Sequence, residues 1–405
     1  MALNTALSGI NAAQSDLNVI ANNIANANTT GFKGSRAEFA DIFAVTGLNL
    51  NSTAVGSGVT LEKVAQQFNQ GDLQTTGNSL DLAINGNGFF AVNNGSGVQY
   101  TRAGDFEKNS NGYVTTPDGA KLQIYPPNGN GGFDMSTLKD FSWQAAQSNA
   151  TATSSITLTS NLPASATAPT TAFSTSDSTS YNNAAPVTVY DSQGGSHQAT
   201  VYYVKTGTNT WDANLYVDGQ SAGTQSMTFD STGKLTTPTN GTLAFNSVTL
   251  GNGSAPLALS LNVTNTTQYG TDYSAGPIVQ NGFEAGTLSG IDIDQQGVVT
   301  ATYSNNQSTQ IGQVAIANFA NVQGLRQLGN TTWASSTDSG PATWGTANAG
   351  EYGTIQSGEL ESSNTADTTA QLVNMIQAQR NYQANAQVLS TDNTLASSLF
   401  NAVSR

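Results

Sequence analysis

The chain reads as a mainly β protein with α-helical termini, built as nested domains. Three observations predict this. Apolar residues near each end recur at helical spacing. The long middle is a series of short alternating runs broken by Gly, Asn and Asp. Within that middle, composition shifts at about residue 144, marking a segment inserted into a host domain.

The first element is helical. Leu3, Leu7, Ile10, Leu17, Ala21 and Ile24 alternate in spacings of three and four, with Gln14 at the one polar seam position. That is a near-heptad stripe. It stops at Asn28-Thr29-Thr30-Gly31, where Gly31 suits a helix C-terminus. At the far end Leu372, Met375, Tyr382, Ala386, Leu389, Ala396 and Phe400 form a second stripe, with Gln379 and Asn393 as its polar positions. The expectation is a helical coiled-coil domain from residues 1–30 and 365–405, joined through a linking segment of residues 31–70 and 357–364.

The outer faces of these helices carry almost no charge. Asp16 is the only charged residue before Lys33, and Thr368 to Ser404 holds only Arg380 and Asp392. Solvated helices normally show Glu and Lys there. One reading is a polar monomeric two-helix hairpin. The sharper one is that every face ends against other helices or a water-filled channel in an assembly. Leu3, Leu7, Ile10, Leu17, Ile24, Leu372, Met375, Tyr382, Leu389 and Phe400 are then the candidate polymerisation residues. Asn is a poor helix former, so the isolated ends are expected to hold helix weakly.

Between the ends, alternating runs include Asp81-Leu82-Ala83-Ile84, Phe89-Phe90-Ala91-Val92, Val187-Thr188-Val189-Tyr190 and Leu257-Ala258-Leu259-Ser260-Leu261. Asp191-Ser192-Gln193-Gly194-Gly195 joins two such runs and predicts a hairpin. Residues 144–186 are dense in Ser, Thr and Ala and open a segment that closes near Gly276-Pro277. This gives an inner β domain of residues 71–144 and 281–356, carrying an outer β domain of residues 145–280.

Composition narrows the function. The 405 residues carry a formal net charge of -14, and only 9% are charged. Twelve basic residues spread along the chain form no cluster, which argues against nucleic acid as a partner. No apolar run reaches the length of a membrane span. The N-terminus lacks the basic and apolar regions of a cleavable signal peptide.

Candidate chemistry is sparse. Asp292-Ile293-Asp294-Gln295-Gln296-Gly297 resembles the start of a calcium loop, but the twelfth position is Tyr303 rather than Glu, so a strand-turn-strand is expected. Gly86-Asn87-Gly88 precedes a strand instead of the helix that a dinucleotide fingerprint must open. His197, the only histidine, lies near Asp191, Ser192 and Ser196 in sequence. Proximity along a turn does not make a triad, and a polar turn is the expected role. With no cysteine, no metal site is expected. Spacing alone neither supports nor rules out a pair of catalytic carboxylates. No cofactor and no enzymatic activity are expected.

Three stretches carry a family resemblance. Ala21-Asn22-Asn23-Ile24-Ala25-Asn26-Ala27-Asn28-Thr29-Thr30-Gly31-Phe32-Lys33 resembles the N-terminal signature of bacterial flagellar rod and hook proteins. Gln377-Ala378-Gln379-Arg380-Asn381-Tyr382-Gln383-Ala384-Asn385-Ala386 resembles their C-terminal signature. Asp81 to Phe90 and Tyr100-Thr101-Arg102-Ala103-Gly104-Asp105-Phe106 are similar to a segment shared by distal rod and hook members. The matching signature residues are Asn22, Asn23, Asn26, Gly31, Phe32, Lys33, Gln379, Arg380, Tyr382 and Asn385. One departure is Ser363-Asn364-Thr365-Ala366-Asp367, where Thr-Ala precedes the Asp that usually follows a single β-branched residue. It leaves the register of the second helix start open.

The insertion, with Val189-Tyr190-Asp191-Ser192-Gln193-Gly194 and Trp211, is similar to the extra domain of hook members. The resemblance implies an axial protein exported through the flagellar export apparatus without a cleaved signal, and assembled under a hook cap into an extracellular homopolymer. It implies a distal rod protein and a hook-filament junction protein as neighbours at the two ends. It also implies a curved tube that transmits torque while subunit contacts slide between near-equal states. A rod member with an unusual insertion, or a secreted β-rich adhesin or glycan-binding enzyme, would be the rival classes.

Overall fold

The computed structural model describes residues 2–42, 56–143 and 148–403. Part of the expected linking segment (43–55) and the expected domain boundary at 144–147 lie outside the described residues. The chain forms two compact units. The first comprises Met1–Ala146, Ile291–Ala301 and Thr309–Arg405; the second comprises Gln147–Gly290 and Thr302–Ser308.

The first unit begins and ends with helices, α1 (Ala2–Ala25) and α2 (Thr368–Val403). The Asp367 carboxylate accepts from the N–H groups of Thr369 and Ala370 at 3.1 and 3.2 Å. It therefore caps α2 and sets the register that the Thr-Ala departure left open. Gly31 does not end α1. The helix stops at Ala25, and turns carry the chain to Gly31, whose φ is +65°. A Cβ there would lie 2.4 Å from the Ala103 nitrogen, so close backbone approach, not helix capping, demands the glycine.

β structure starts earlier than the sequence suggests. Strands Ser35–Asp41 and Val59–Gln66 pair antiparallel within the linking segment. Their residues do not alternate cleanly: Phe39, Leu61 and Val64 are all exposed. A segment with apolar residues on both faces gives no period-two signal.

The remaining strands of this unit interleave the two halves of the chain. Phe89–Asn93 pairs with Val98–Thr101, Lys121–Tyr125 and Ile316–Asn318. Leu82–Asn85 pairs with Thr354–Ser357, and Leu73–Thr75 with Glu359–Glu361. Phe89, Tyr100, Phe319 and Trp333 fill one core, with rings meeting edge to face. Asp292 lies in strand Leu288–Ile293, which turns at Asp294–Gly297 into Val298–Tyr303, the expected strand-turn-strand. Gly86-Asn87-Gly88 likewise lies between strands.

The second unit holds a five-stranded antiparallel sheet in chain order: Asn183–Tyr190, Ser196–Gly207, Thr210–Val217, Gln220–Phe229 and Leu235–Thr237. The first pair is the hairpin expected around Asp191–Gly195. A second sheet places Ser155–Asn161 between Ser260–Asn262 and Ser274–Gln280. Strand Ser196–Gly207 alternates cleanly: Ala199, Val201 and Tyr203 point inward and Thr200 and Tyr202 are half-buried. Those inward residues join Trp211, Leu158 and Leu261 in one core shared by both sheets. Trp211 is fully buried, and its indole N–H donates to Gln268 Oε1 at 2.8 Å.

Candidate polymerisation surface

The helices α1 and α2 run antiparallel. Gly9 lies against Asn385, and the Thr365 hydroxyl at the foot of α2 donates to the Asn23 carbonyl at 3.0 Å. The face that α1 turns to α2 is not the predicted stripe. Its buried residues are Ala6, Ala13, Ile20 and Asn23. A Cβ on Gly9 would fall within 2.8 Å of three Asn385 side-chain atoms. Small residues let two helices approach closely, and Ala6, Gly9 and Ala13, which do this, were hidden beneath the stronger leucine pattern.

The predicted stripe points elsewhere. Leu3 and Leu7 are exposed, Leu7 by 47%, while Ile10, Leu17 and Ile24 are half-buried. On α2, Met375 and Leu389 are half-buried, flanking the buried Ala378 on the α1-facing side. Leu372, Tyr382 and Phe400 are exposed, Phe400 by 82%. Val373, Ile376, Val388, Leu395 and Leu399 add exposed apolar area that the sequence reading did not single out. They lie off the single seam that a heptad spacing picks out, because α2 is apolar on several sides. Exposed apolar side chains in this number are uncommon on the helices of a lone soluble subunit.

The N-terminal signature forms the junction beneath these helices. Asn23 is buried; its amide accepts from the Ser35 N–H at 2.9 Å and donates to the Ser35 carbonyl at 2.8 Å. Asn26 donates to the Asn22 carbonyl at 3.0 Å. Gly31 and Phe32 are buried. Asn364 accepts from the Gly34 N–H at 2.7 Å and donates to the Gln67 carbonyl at 2.5 Å.

Below them, Lys33 Nζ lies 2.6 Å from Glu361 Oε1, and Arg102 Nε lies 2.8 Å from Glu361 Oε2. All three side chains are buried. Lys33 also donates to the Asn69 carbonyl, and Arg102 to the Gly86 and Gly88 carbonyls. Burial pulls the Lys33 amine below its usual range, and Glu361 opposes that pull. The N-terminal signature thus fixes the foot of the helix pair to the β core. Of the C-terminal signature, Gln379, Arg380 and Tyr382 are exposed, whereas Asn385 is half-buried against Gly9.

His197 lies in a strand, not in a turn as expected. Its ring nitrogens face Asp218 and Asp191. Among the described residues, no group of three or more His, Cys, Asp or Glu is arranged to hold a metal ion. No helix among them is long and apolar enough to cross a membrane.

Four family models match the chain in order. Residues 3–33 match the flagella basal body rod protein, and residues 83–164 the flagellar hook protein FlgE/F/G D1 domain. Residues 161–283 match the flagellar basal body protein FlaE D2 domain, and residues 356–402 the flagellar basal body rod FlgEFG protein C-terminal region. Helical ends enclosing a β host with a β insertion, read with these matches, define an axial protein of the bacterial flagellum. The chain is 39% identical to the flagellar hook protein FlgE of Escherichia coli (strain K12), over 99% of this chain and 100% of that protein. It is 31% identical to FlgE of Rhizobium meliloti (strain 1021), over 98% of each. The crystal structure of Helicobacter pylori flagellar hook protein FlgE2 shares the fold, with a TM-score of 0.52 and 15% identity, over 71% of this chain and all of that one. The chain belongs to the flagellar hook protein family. It is a structural, non-enzymatic subunit of the flagellar hook.

Proposed function

We propose that the chain polymerises through its terminal helices into a curved, flexible tube that carries torque from rod to filament. The single observation that supports this most strongly is the exposure of apolar side chains around both helices, above all Leu7, Leu395, Leu399 and Phe400. A monomer leaves that area in water, and a second copy of the chain is the partner that a homopolymer supplies. Packed against neighbours, α1 and α2 would form the coiled-coil interior.

In this reading the chain comprises a terminal helical domain, a linking segment, an inner β domain and an inserted domain of about residues 145–280. The low charge of the surface suits contacts that exchange. Strong ion pairs would favour one register, whereas weak polar contacts slide. The distal rod protein, the hook-filament junction protein, the hook cap and the export apparatus are the proposed heterologous partners. Electron microscopy of purified chain at polymerising concentration tests the central claim. Curved tubes are the expected result; a chain that stays monomeric with its helices ordered overturns it.

A further inference from the structure

The chain's single histidine lies outside the helices and their junction, in the second unit. His197 sits near the start of strand Ser196–Gly207, opposite Val189. Its side chain is 13% exposed. Nδ1 lies 2.6 Å from Asp218 Oδ2, and Nε2 lies 3.1 Å from Asp191 Oδ2. Asp191 is fully buried, and its Oδ1 accepts the N–H groups of Gln193 and Gly195, each at 2.8 Å. Its Oδ2 also accepts from Asn252 Nδ2 at 2.6 Å. Asp218 takes the left-handed φ of +47°, and its Oδ1 accepts from the Gln198 N–H at 2.9 Å. The Ser192 hydroxyl accepts from the Ala255 N–H at 3.0 Å. The ring therefore ties loop 191–195 to loop 218–219 directly, and loop 252–255 joins them through Asp191 and Ser192.

The charge state of the ring follows from its partners. A carboxylate only accepts. A neutral imidazole has one N–H, so its second nitrogen would turn a lone pair toward a carboxylate oxygen. An imidazolium donates to both. Among the described residues, the charged groups facing the ring are Asp218 and Asp191. They lie at opposite ring nitrogens and do not converge on a common point, so the arrangement is a bridge and not a ligand set.

We propose that His197 is a protonated clasp, holding three loops of the second unit together in mildly acidic solution and releasing them as pH rises. The hydrogen bond to Asp218 raises the imidazole above its ordinary 6.5; burial opposes it, and Asp191 adds to it. A raised folded value means that the stabilisation is complete below about 6.5 and is lost as pH rises through the folded midpoint. The carboxylates act at the other end. Burial pushes Asp191 up, but the bonds from His197, Asn252, Gly195 and Gln193 outweigh it and hold it below the carboxylate range. The bond to His197 likewise lowers Asp218. Their contribution is present above about 4 and is lost as pH falls. The clasp is tightest between those limits.

Because the chain has one histidine, ring-nitrogen NMR on the full-length protein reads this site alone. The expected result is a midpoint above 6.5, with both ring nitrogens protonated below it. Amide exchange in the three loops, corrected for intrinsic rate, should rise as the proton leaves. The rise should be roughly tenfold for each unit by which the midpoint exceeds 6.5. In His197→Gln the loops should exchange at pH 6 as the parent's do above its midpoint. A midpoint at or below 6.5, or loop exchange indifferent to the titration, would each overturn the proposal. Should the variant not fold, titration of the parent still decides.

Discussion

Glu361 lies 2.6 Å from Lys33, and neither side chain reaches water. The same carboxylate receives Arg102 through its other oxygen. One anion therefore pairs with two buried cations from different parts of the chain. Replacing it by Gln leaves both cations short of a counter-charge, and breaking a buried pair from one side typically costs about 3–5 kcal/mol. Glu361→Gln should destabilise the first unit by that order, while the second unit unfolds as before. Lys33→Met should cost less, because the Arg102 contact survives. Calorimetry resolving the two units checks this; a loss under about 1 kcal/mol for Glu361→Gln would contradict the account.

Leu7→Asp separates folding from assembly. Leu7 is exposed within one subunit, so an aspartate there should leave monomer stability within roughly 0.5 kcal/mol. In a tube the same carboxylate would be buried among helices without a partner, at a cost of several kcal/mol. Phe400→Asp should behave alike. Leu389→Asp differs, since Leu389 is half-buried, and should weaken both helix pairing and assembly. Thermal melts and micrographs of each variant give the two readouts; normal tubes from Leu7→Asp would refute the assignment.

The helix pair should be loose in the free subunit. Its buried residues are mostly small, Ala6, Ala13 and Ala378 beside Ile20 and Asn23, and bury little apolar area, and Asn, Ser and Thr are weak helix formers. Amides of residues 2–30 and 368–403 should exchange rapidly in monomer and slow by orders of magnitude in tubes. Strong protection at both ends of the monomer would show that the helices need no neighbour.

The insertion should be dispensable for polymerisation. Ser148 and Gly286 form an antiparallel bridge, with the Gly286 N–H donating to the Ser148 carbonyl at 3.0 Å. The inserted segment thus leaves and returns at one place, and a short Gly/Ser linker can replace residues 149–285. The shortened chain should still form tubes, with altered curvature or bending stiffness. Failure to polymerise despite a folded first unit would make the insertion an assembly element. Tubes of unchanged shape and stiffness would remove its mechanical role.

The elements that obey one period were legible in the sequence. The helices, the hairpin around Asp191–Gly195 and the turn at Asp294–Gly297 all followed from spacing and turn chemistry. The hairpin from Ser35 to Gln66 was not, because both its faces carry apolar residues. Nor was the seam between α1 and α2. Ala6, Ala13 and Ile20 form a heptad as regular as Leu3, Leu7 and Ile10, and periodicity cannot say which of two seams meets the partner within the chain. Lys33, Arg102 and Glu361 stood as isolated charges in a charge-poor chain, and only the folded chain shows both cations pairing with one carboxylate.

That pairing also sets a clock. Lys33 and Glu361 are 328 positions apart, and the strands around them come from opposite halves of the chain. Bringing such distant segments together carries a loop-closure cost and slows folding. If the chain emerges from a narrow conduit with its N-terminus leading, Lys33 and Arg102 must wait, uncompensated, until Glu361 arrives. The first unit then has no finished structure to jam the passage, and its last strand acts as the latch that closes once delivery is nearly complete.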